Sequence, residues 1–244
     1  MENARFIFQA EEVCSLAVEV EKKCAALSDD FLYGSSLLKI GIALKDVRQH
    51  SSTLYYTDRA RTLFEAVGDH YHIAYAHHVI SQVHHDGCRL PDALKAVEDA
   101  WKHAKLTASP YLQMTISMTF ARLLFTTDQD TKAWKHIEIV LINASCIGDH
   151  LYVARAFEYM GYGYLRRGDY QNAYDAYEAA ARMYIGTVDS GVAKVCKDNM
   201  VKIEGKQGNC DADAVVGFYK PVMEIDKVLS PPPPSPPQFN HLHQ

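Results

Sequence analysis

The chain has 244 residues, of which 48% are hydrophobic and 23% charged, a composition typical of globular proteins. Its formal net charge of -5 argues against a nucleic-acid-binding protein, because such proteins usually present a basic face. The six cysteines are scattered without a CxxC pair, so we expect reduced thiols rather than a disulfide framework.

The first residues, MENARFIFQAEEV, do not place a basic region before an apolar core, so they do not predict a secretory signal. No apolar run approaches the roughly 20 residues that a membrane-spanning helix needs. We therefore expect a cytoplasmic protein with neither nucleic acid nor membrane among its partners.

The N-terminal part, residues 1–32, is predicted to hold one helix. Residues 10–27 have the periodicity of the second helix of a pair whose partner is missing, which indicates an incomplete repeat or a cap. The acidic residues Asp29 and Asp30 follow Ser28 between two helical segments, and helix capping explains them best.

Residues 33–188 are predicted to form four helix pairs, because small side chains recur every forty residues. Small side chains at matching positions let two antiparallel helices approach closely. Three columns of the repeat stay small or short in all four copies: Gly41, Ser81, Ala121 and Gly161; Thr53, Ala93, Ala133 and Ala173; Ala60, Ala100, Val140 and Ala180.

Turn signals separate these predicted helices. The triplet GDH occurs at Gly68 and again at Gly148, where it favours a helix end followed by an acidic helix start. In the intervening copy Ser109 is predicted to cap a helix that begins at Pro110.

The last copy, AFEYMGYGYLRRGDYQNAYDAYEAAARMY (156–184), resembles a tetratricopeptide repeat (TPR). Phe157 matches the leading aromatic residue of that motif and Gly161 its small residue; Gly168, Ala173 and Ala180 follow at the motif's spacing. The resemblance implies an all-α, right-handed solenoid of antiparallel helix pairs that binds other proteins. The forty-residue step is similar to that of regulators of the maltose-activator type and of the sensor arms of STAND ATPases.

Half of the twelve histidines lie in the first helix of the second pair, which raises the question of a metal site. The pairs that share a helical face, such as His77 with His84 and His78 with His85, are seven residues apart, or about 10.5 Å along the axis. Zinc ligands each lie about 2 Å from the ion, so no such pair can share one. We expect structural or surface histidines; the alternative is a metal site completed by neighbouring helices.

The sequence also lacks the common motifs of catalysis and of phosphate or calcium binding. No GxxxxGK[ST] phosphate loop, GxSxG elbow or calcium loop is present, and carboxylate pairs such as Glu98 with Asp99 fit solvated helix faces. We expect a protein that is not an enzyme and that uses no cofactor.

A partner is expected to bind in the concave groove that the first helices line. Aromatic residues, Met and Arg are enriched at protein interfaces, and they recur on the strip of each first helix that faces away from its pair. The alternative is that apolar members of this strip pack between adjacent units. The predicted groove residues are Tyr75, His78, Gln82, His85, Met118, Arg122, Phe125, Arg155, Glu158, Tyr162 and Arg166.

The C-terminal part is predicted to begin with a capping helix over 189–205, followed by a flexible tail over 206–244. This tail contains six prolines within 231–237, which favours an extended polyproline conformation. Taken together, the sequence predicts a protein-interaction module whose partner is a protein or peptide, with self-association left open. The alternative is the sensor arm of a STAND-type signalling ATPase without its nucleotide-binding domain.

Overall fold

A computed structural model describes residues 2–25, 29–185 and 190–207 of the chain. These residues form ten α-helices and no β-strand. The predicted proline-rich tail lies outside the described residues. The helices are α1 (Glu2–Ala25), α2 (Asp30–Asp46), α3 (His50–Val67), α4 (His70–Asp86), α5 (Leu90–Ala104), α6 (Pro110–Thr126), α7 (Asp130–Ile147), α8 (His150–Arg166), α9 (Tyr170–Tyr184) and α10 (Ser190–Gln207).

The helix boundaries repeat with the forty-residue step found in the sequence. Helices α2, α4, α6 and α8 begin at residues 30, 70, 110 and 150, and α3, α5, α7 and α9 begin at 50, 90, 130 and 170. Helix α10 begins at 190 and continues the first series. The expectation of an all-α helical-repeat protein is confirmed, although the predicted boundary at residue 33 falls three residues inside α2.

Capping side chains fix where these helices begin. The carboxylates of Asp29 and Asp69 accept hydrogen bonds from backbone amides of α2 and α4, and Asp149 does the same at α8. Ser109 caps α6 immediately before Pro110. The predicted caps are therefore confirmed. Helices α3 and α7 each end at a glycine. Gly68 and Gly148 both adopt the left-handed backbone conformation that is common at helix ends.

The columns of small residues lie at the crossings between paired helices. The hydroxyl of Ser81 in α4 donates a hydrogen bond of 3.0 Å to the carbonyl oxygen of Ala93 in α5. Gly41 and Gly161 lie directly against the side chains of Thr57 and Tyr177. The columns on the second helices are completely buried: Thr53, Ala93, Ala133 and Ala173; Ala60, Ala100, Val140 and Ala180. Their small size is therefore what brings the two helices of each pair together.

Helices pack mainly on their neighbours in sequence, but the first helices of successive pairs also meet. Contacts between α2 and α4, between α4 and α6, and between α6 and α8 place these four helices in one row. The larger core cluster runs from α4 to α10, and a smaller one joins α1 to α4. Over the described ranges, no helix is both long enough and apolar enough to cross a bilayer.

Candidate binding groove

The row of first helices carries two neighbouring cavities. One has a volume of about 360 Å³ and is lined by His85, Arg122, Thr126, Glu158, Tyr159, Tyr162, Tyr177 and Asn199; we call it the Arg122 cavity. The other, the His78 cavity, has a volume of about 230 Å³. It is lined by His78, Gln82, Thr115, Met118, Thr119, Tyr152, Arg155, Glu158, Tyr159, Tyr184 and Val192. Because Glu158 and Tyr159 belong to both, the two cavities form one groove across α4, α6 and α8.

Most of the residues that the sequence assigns to a groove lie in these cavities. Those that line one or both are His78, Gln82, His85, Met118, Arg122, Arg155, Glu158 and Tyr162. They come from three first helices, as the forty-residue alignment predicts. The structure therefore brings the central part of the predicted strip together around one groove.

Three predicted groove residues line neither cavity. Tyr75 is partly buried beside His78, with 6.0 Å between the ring centroids. Arg166 lies at the end of α8, where it donates a hydrogen bond of 2.7 Å to Asp128. Phe125 is completely buried and packs edge-on against Trp134. Phe125 therefore supports the groove from within the core and presents no surface to a partner.

The groove also contains residues that the sequence pattern did not single out. Tyr159 lines both cavities, and Tyr177 and Tyr184 reach them from α9. Helix α10 adds Val192 and Asn199, which follow Tyr152 and Tyr159 by one forty-residue step. Extending the alignment by one copy would have found the α10 residues, since α10 occupies the position of a fifth first helix.

A chain of polar contacts crosses the His78 cavity from one helix pair to the next. Lys45 of α2 donates to the side-chain oxygen of Gln82 over 3.0 Å. His78 Nε2 lies 3.3 Å from the amide nitrogen of Gln82 and 2.8 Å from the hydroxyl of Thr119 in α6. Burial, reinforced by the positive charges of Lys45 and Arg122, lowers the pKa of His78 to about 4. The imidazole is therefore neutral near pH 7 and joins adjacent helix pairs by packing and hydrogen bonding.

The Arg122 cavity contains nitrogen atoms without hydrogen-bond partners. Among the described residues, Nε of Arg122 is buried and forms no hydrogen bond. The same holds for Nδ1 of His85, which lies 3.5 Å from the Asp86 carboxylate. The carboxylate of Glu158, by contrast, accepts a hydrogen bond of 3.2 Å from the hydroxyl of Tyr184. The cavity therefore contains a carboxylate that already accepts a hydrogen bond and a guanidinium whose Nε has no acceptor among the described residues.

Three other histidines of α4 make ordinary structural contacts. His70 Nδ1 lies 3.0 Å from Nδ1 of His103 in α5, and the ring of His77 stacks on His103 with 6.1 Å between centroids. His72 pairs with the capping carboxylate of Asp69 over 2.6 Å. Within the part of the chain that the structure describes, no three His, Cys, Asp or Glu side chains are arranged to hold a metal ion.

Comparisons with known proteins bear on the fold alone. No protein-family model matches the sequence, and no curated protein matches it either. Among solved structures, the chain is similar to the crystal structure of BtubC (BKLC) from P. vanneervenii, with a TM-score of 0.62 and 15% sequence identity. The alignment covers 83% of this chain and 93% of that chain. The likeness therefore covers most of this chain and concerns its fold.

Proposed function

We propose that this chain is a non-catalytic interaction module that holds a partner protein or peptide in the groove formed by α4, α6 and α8. The observation that supports this most directly is the pair of joined cavities, which share Glu158 and Tyr159. Together they provide a continuous recess along successive repeats, which is the kind of surface that helical-repeat proteins use for extended ligands.

The side chains in this recess are of the types that protein interfaces favour. Tyr152, Tyr159 and Tyr162 supply large rigid surfaces, and Arg122 and Arg155 supply charged donors. Tyr and Arg are also the residue types in which binding energy concentrates. A partner that inserts side chains into the two cavities would therefore find both apolar area and polar anchors.

The proposal also includes the type of repeat and the handedness of the superhelix. We take the helix pairs to be TPR-like and to wind into a right-handed superhelix whose concave face is the groove. The support is the match of 156–184 to the tetratricopeptide pattern and the close approach of Gly161 to Tyr177, two of the motif's positions.

The forty-residue step favours one alternative, a sensor arm of a STAND-type ATPase. Helix pairs in that class are longer than the usual thirty-four residues, and here each pair begins forty residues after the last. The coding sequence upstream of this chain distinguishes the two proposals. An in-frame segment that encodes a phosphate loop would favour the sensor arm, whereas a stop codon or an unrelated frame would favour the independent module.

The module is tested by affinity capture with immobilised wild-type chain and a groove variant, Arg122→Glu/Tyr162→Ala. The matched control is Lys135→Glu/Ile142→Ala, which makes a similar charge reversal and truncation on exposed positions of α7. We expect specific partners to bind the wild type and the control and to be lost from the groove variant, with all three proteins folded by circular dichroism. Partners retained by all three would show that the groove is not the binding surface.

A further inference from the structure

We infer that the groove recognises an acidic residue of its partner, with the carboxylate of an Asp or Glu side chain bound by the guanidinium of Arg122. This inference rests on the proposed function, because it names the chemistry of a ligand for the same groove. Arg122 lies on α6, the middle of the three first helices, so a ligand held there would contact repeats on both sides.

Arg122 has hydrogen-bonding capacity that no described residue of the protein uses. Its Nε is buried without a hydrogen-bond partner in the described part of the chain. The guanidinium is therefore not held by an acceptor among the residues that the structure describes. A carboxylate that approaches its end would accept from the two terminal nitrogens together, which is a strong bidentate arrangement.

Other cations near the groove already have partners within the protein. Lys45 donates to Gln82, and Arg166 donates to Asp128. Arg155 likewise has an interaction within the protein. Among the described residues, the guanidinium of Arg122 takes part in no hydrogen bond or ion pair, which sets it apart as the cation free to receive an external anion.

The charges that line the Arg122 cavity determine which kind of anion fits. Glu158 lines the same cavity, and its negative charge disfavours a ligand group with two charges, such as a phosphate. A carboxylate carries one charge, which the unpaired guanidinium balances.

The residues beside Arg122 indicate which type of residue lies next to the Asp or Glu in the bound partner. Tyr159 and Tyr162 line the cavity, and the tyrosine ring is a large amphipathic surface that favours aromatic or aliphatic neighbours. We therefore expect the bound segment to place an apolar residue next to its Asp or Glu.

The test is selection of a random heptapeptide library, displayed on phage, against immobilised wild-type chain and an Arg122→Gln variant. Lys135→Gln, at an exposed position of α7, is the matched control. We expect wild type and control to select peptides with Asp or Glu at one recurrent position and an apolar neighbour. Arg122→Gln should select no acidic consensus.

A selected peptide is then compared with its amide analogue, Glu→Gln or Asp→Asn, by fluorescence anisotropy. Loss of a charge-assisted bidentate contact should weaken binding to the wild type by roughly tenfold to a hundredfold. The two peptides should bind Arg122→Gln equally. Since the amide analogue is tested on the wild-type chain, this comparison holds even if the variant folds poorly.

The outcomes separate the inference from the function on which it rests. If peptides are selected but show no acidic position, or if the amide analogue binds the wild type equally well, the carboxylate inference is wrong while the interaction module stands. If neither wild type nor control selects any peptide, the groove does not bind a short acidic segment and the inference is wrong, whereas the proposed function is decided by the affinity capture with the groove variant.

Discussion

Gly161 of α8 faces the aromatic ring of Tyr177 in α9 so closely that a β-carbon built at Gly161 would lie 2.9 Å from Cγ of that ring. Gly41 stands in the same relation to Thr57, three repeats earlier, where an added β-carbon would collide with the threonine hydroxyl. At both crossings the distance between paired helices is thus set by the missing side chain. The crossing geometry explains why the position stays small in every copy.

Replacing Gly161 with alanine should therefore destabilise the protein. The added methyl group forces Tyr177 or the helix axes to shift, and such overpacking costs about 1–3 kcal/mol. Alanine recovers up to about 1 kcal/mol through its better helix propensity. We expect the free energy of unfolding, measured by urea denaturation, to fall by about 1–2 kcal/mol.

Gly191 of α10 provides the control, because a β-carbon there would meet no atom within 4 Å. Gly191→Ala should raise the free energy of unfolding by up to about 1 kcal/mol, since only the propensity effect remains. Stabilisation of similar size at both glycines would contradict the close crossing at Gly161.

The turn between the two helices of each pair contains a second forty-residue pattern. Arg48, Cys88, Asp128 and Gly168 all adopt positive φ angles, between 56° and 74°. In the left-handed region a side chain clashes with the neighbouring carbonyl, which costs a residue other than glycine about 1–2 kcal/mol. Only the fourth copy therefore has glycine at this position, the residue type that a positive φ angle favours.

Substitutions in these turns should therefore change the stability of the protein in opposite directions in different copies of the repeat. Cys88→Gly removes the backbone strain at an exposed position and should stabilise the protein by about 1 kcal/mol. The greater flexibility of glycine in the unfolded chain makes this gain smaller. Gly168→Ala should destabilise it by about 1 kcal/mol, because the added methyl meets no other atom and only the backbone is strained. Thermal unfolding of the two variants and the wild type measures both effects, and a loss of stability in Cys88→Gly would rule out strain at this turn.

Local patterns in the sequence were enough to predict the repeat, since caps, turns and small columns act within one helix pair. The groove was harder, because burial there depends on how one pair packs against the next. Phe125 shows this. It lies on the predicted strip, but Gly163 lets α8 approach so closely that a β-carbon at Gly163 would lie 2.6 Å from the Phe125 ring. The glycine of one unit thus decides the exposure of an aromatic residue in another.

A polar cluster that the sequence did not reveal also joins the N-terminal helix to its neighbours. Glu21 of α1 accepts hydrogen bonds from Arg59 and from the hydroxyl of Tyr56 in α3, the latter over 3.0 Å. Arg59 also donates to the hydroxyl of Tyr33 in α2, over 2.6 Å. Three helices are therefore held by one carboxylate and one guanidinium.

Glu21→Ala should loosen α1 from the rest of the protein. The lost charge-assisted bonds are partly exposed to solvent, so we expect a cost of about 1 kcal/mol. Amide hydrogen exchange should accelerate in α1 while α6 to α9 stay protected. Glu19→Ala is the control, because the Glu19–Lys23 pair is exposed and internal to α1. Equal acceleration in both variants would mean that Glu21 does not anchor the helix.

Acid should destabilise the protein through two buried histidines, His78 and His136. Burial lowers the pKa of both to about 4. The ring of His136 lies 4.3 Å from Phe120 and 5.2 Å from Trp101, with Nδ1 at 3.3 Å from the Ser117 hydroxyl. An unfolded histidine takes up a proton near pH 6.5, whereas these two stay neutral in the folded chain. Stability is therefore fully present above about pH 6.5 and declines as the pH falls toward 4.

His136→Phe keeps the ring packing and removes one of these protonation costs, which is on the order of 3 kcal/mol when complete. At pH 7 the variant should be less stable than the wild type by about 1 kcal/mol, because Ser117 loses its partner. The difference should shrink and then reverse between pH 6.5 and 4.5, as seen in urea midpoints. His150→Gln, at an exposed position, is the matched control. A His136→Phe difference that stays constant from pH 7 to 4.5 would show that burial does not keep His136 neutral. The acid sensitivity would then have to come from other groups.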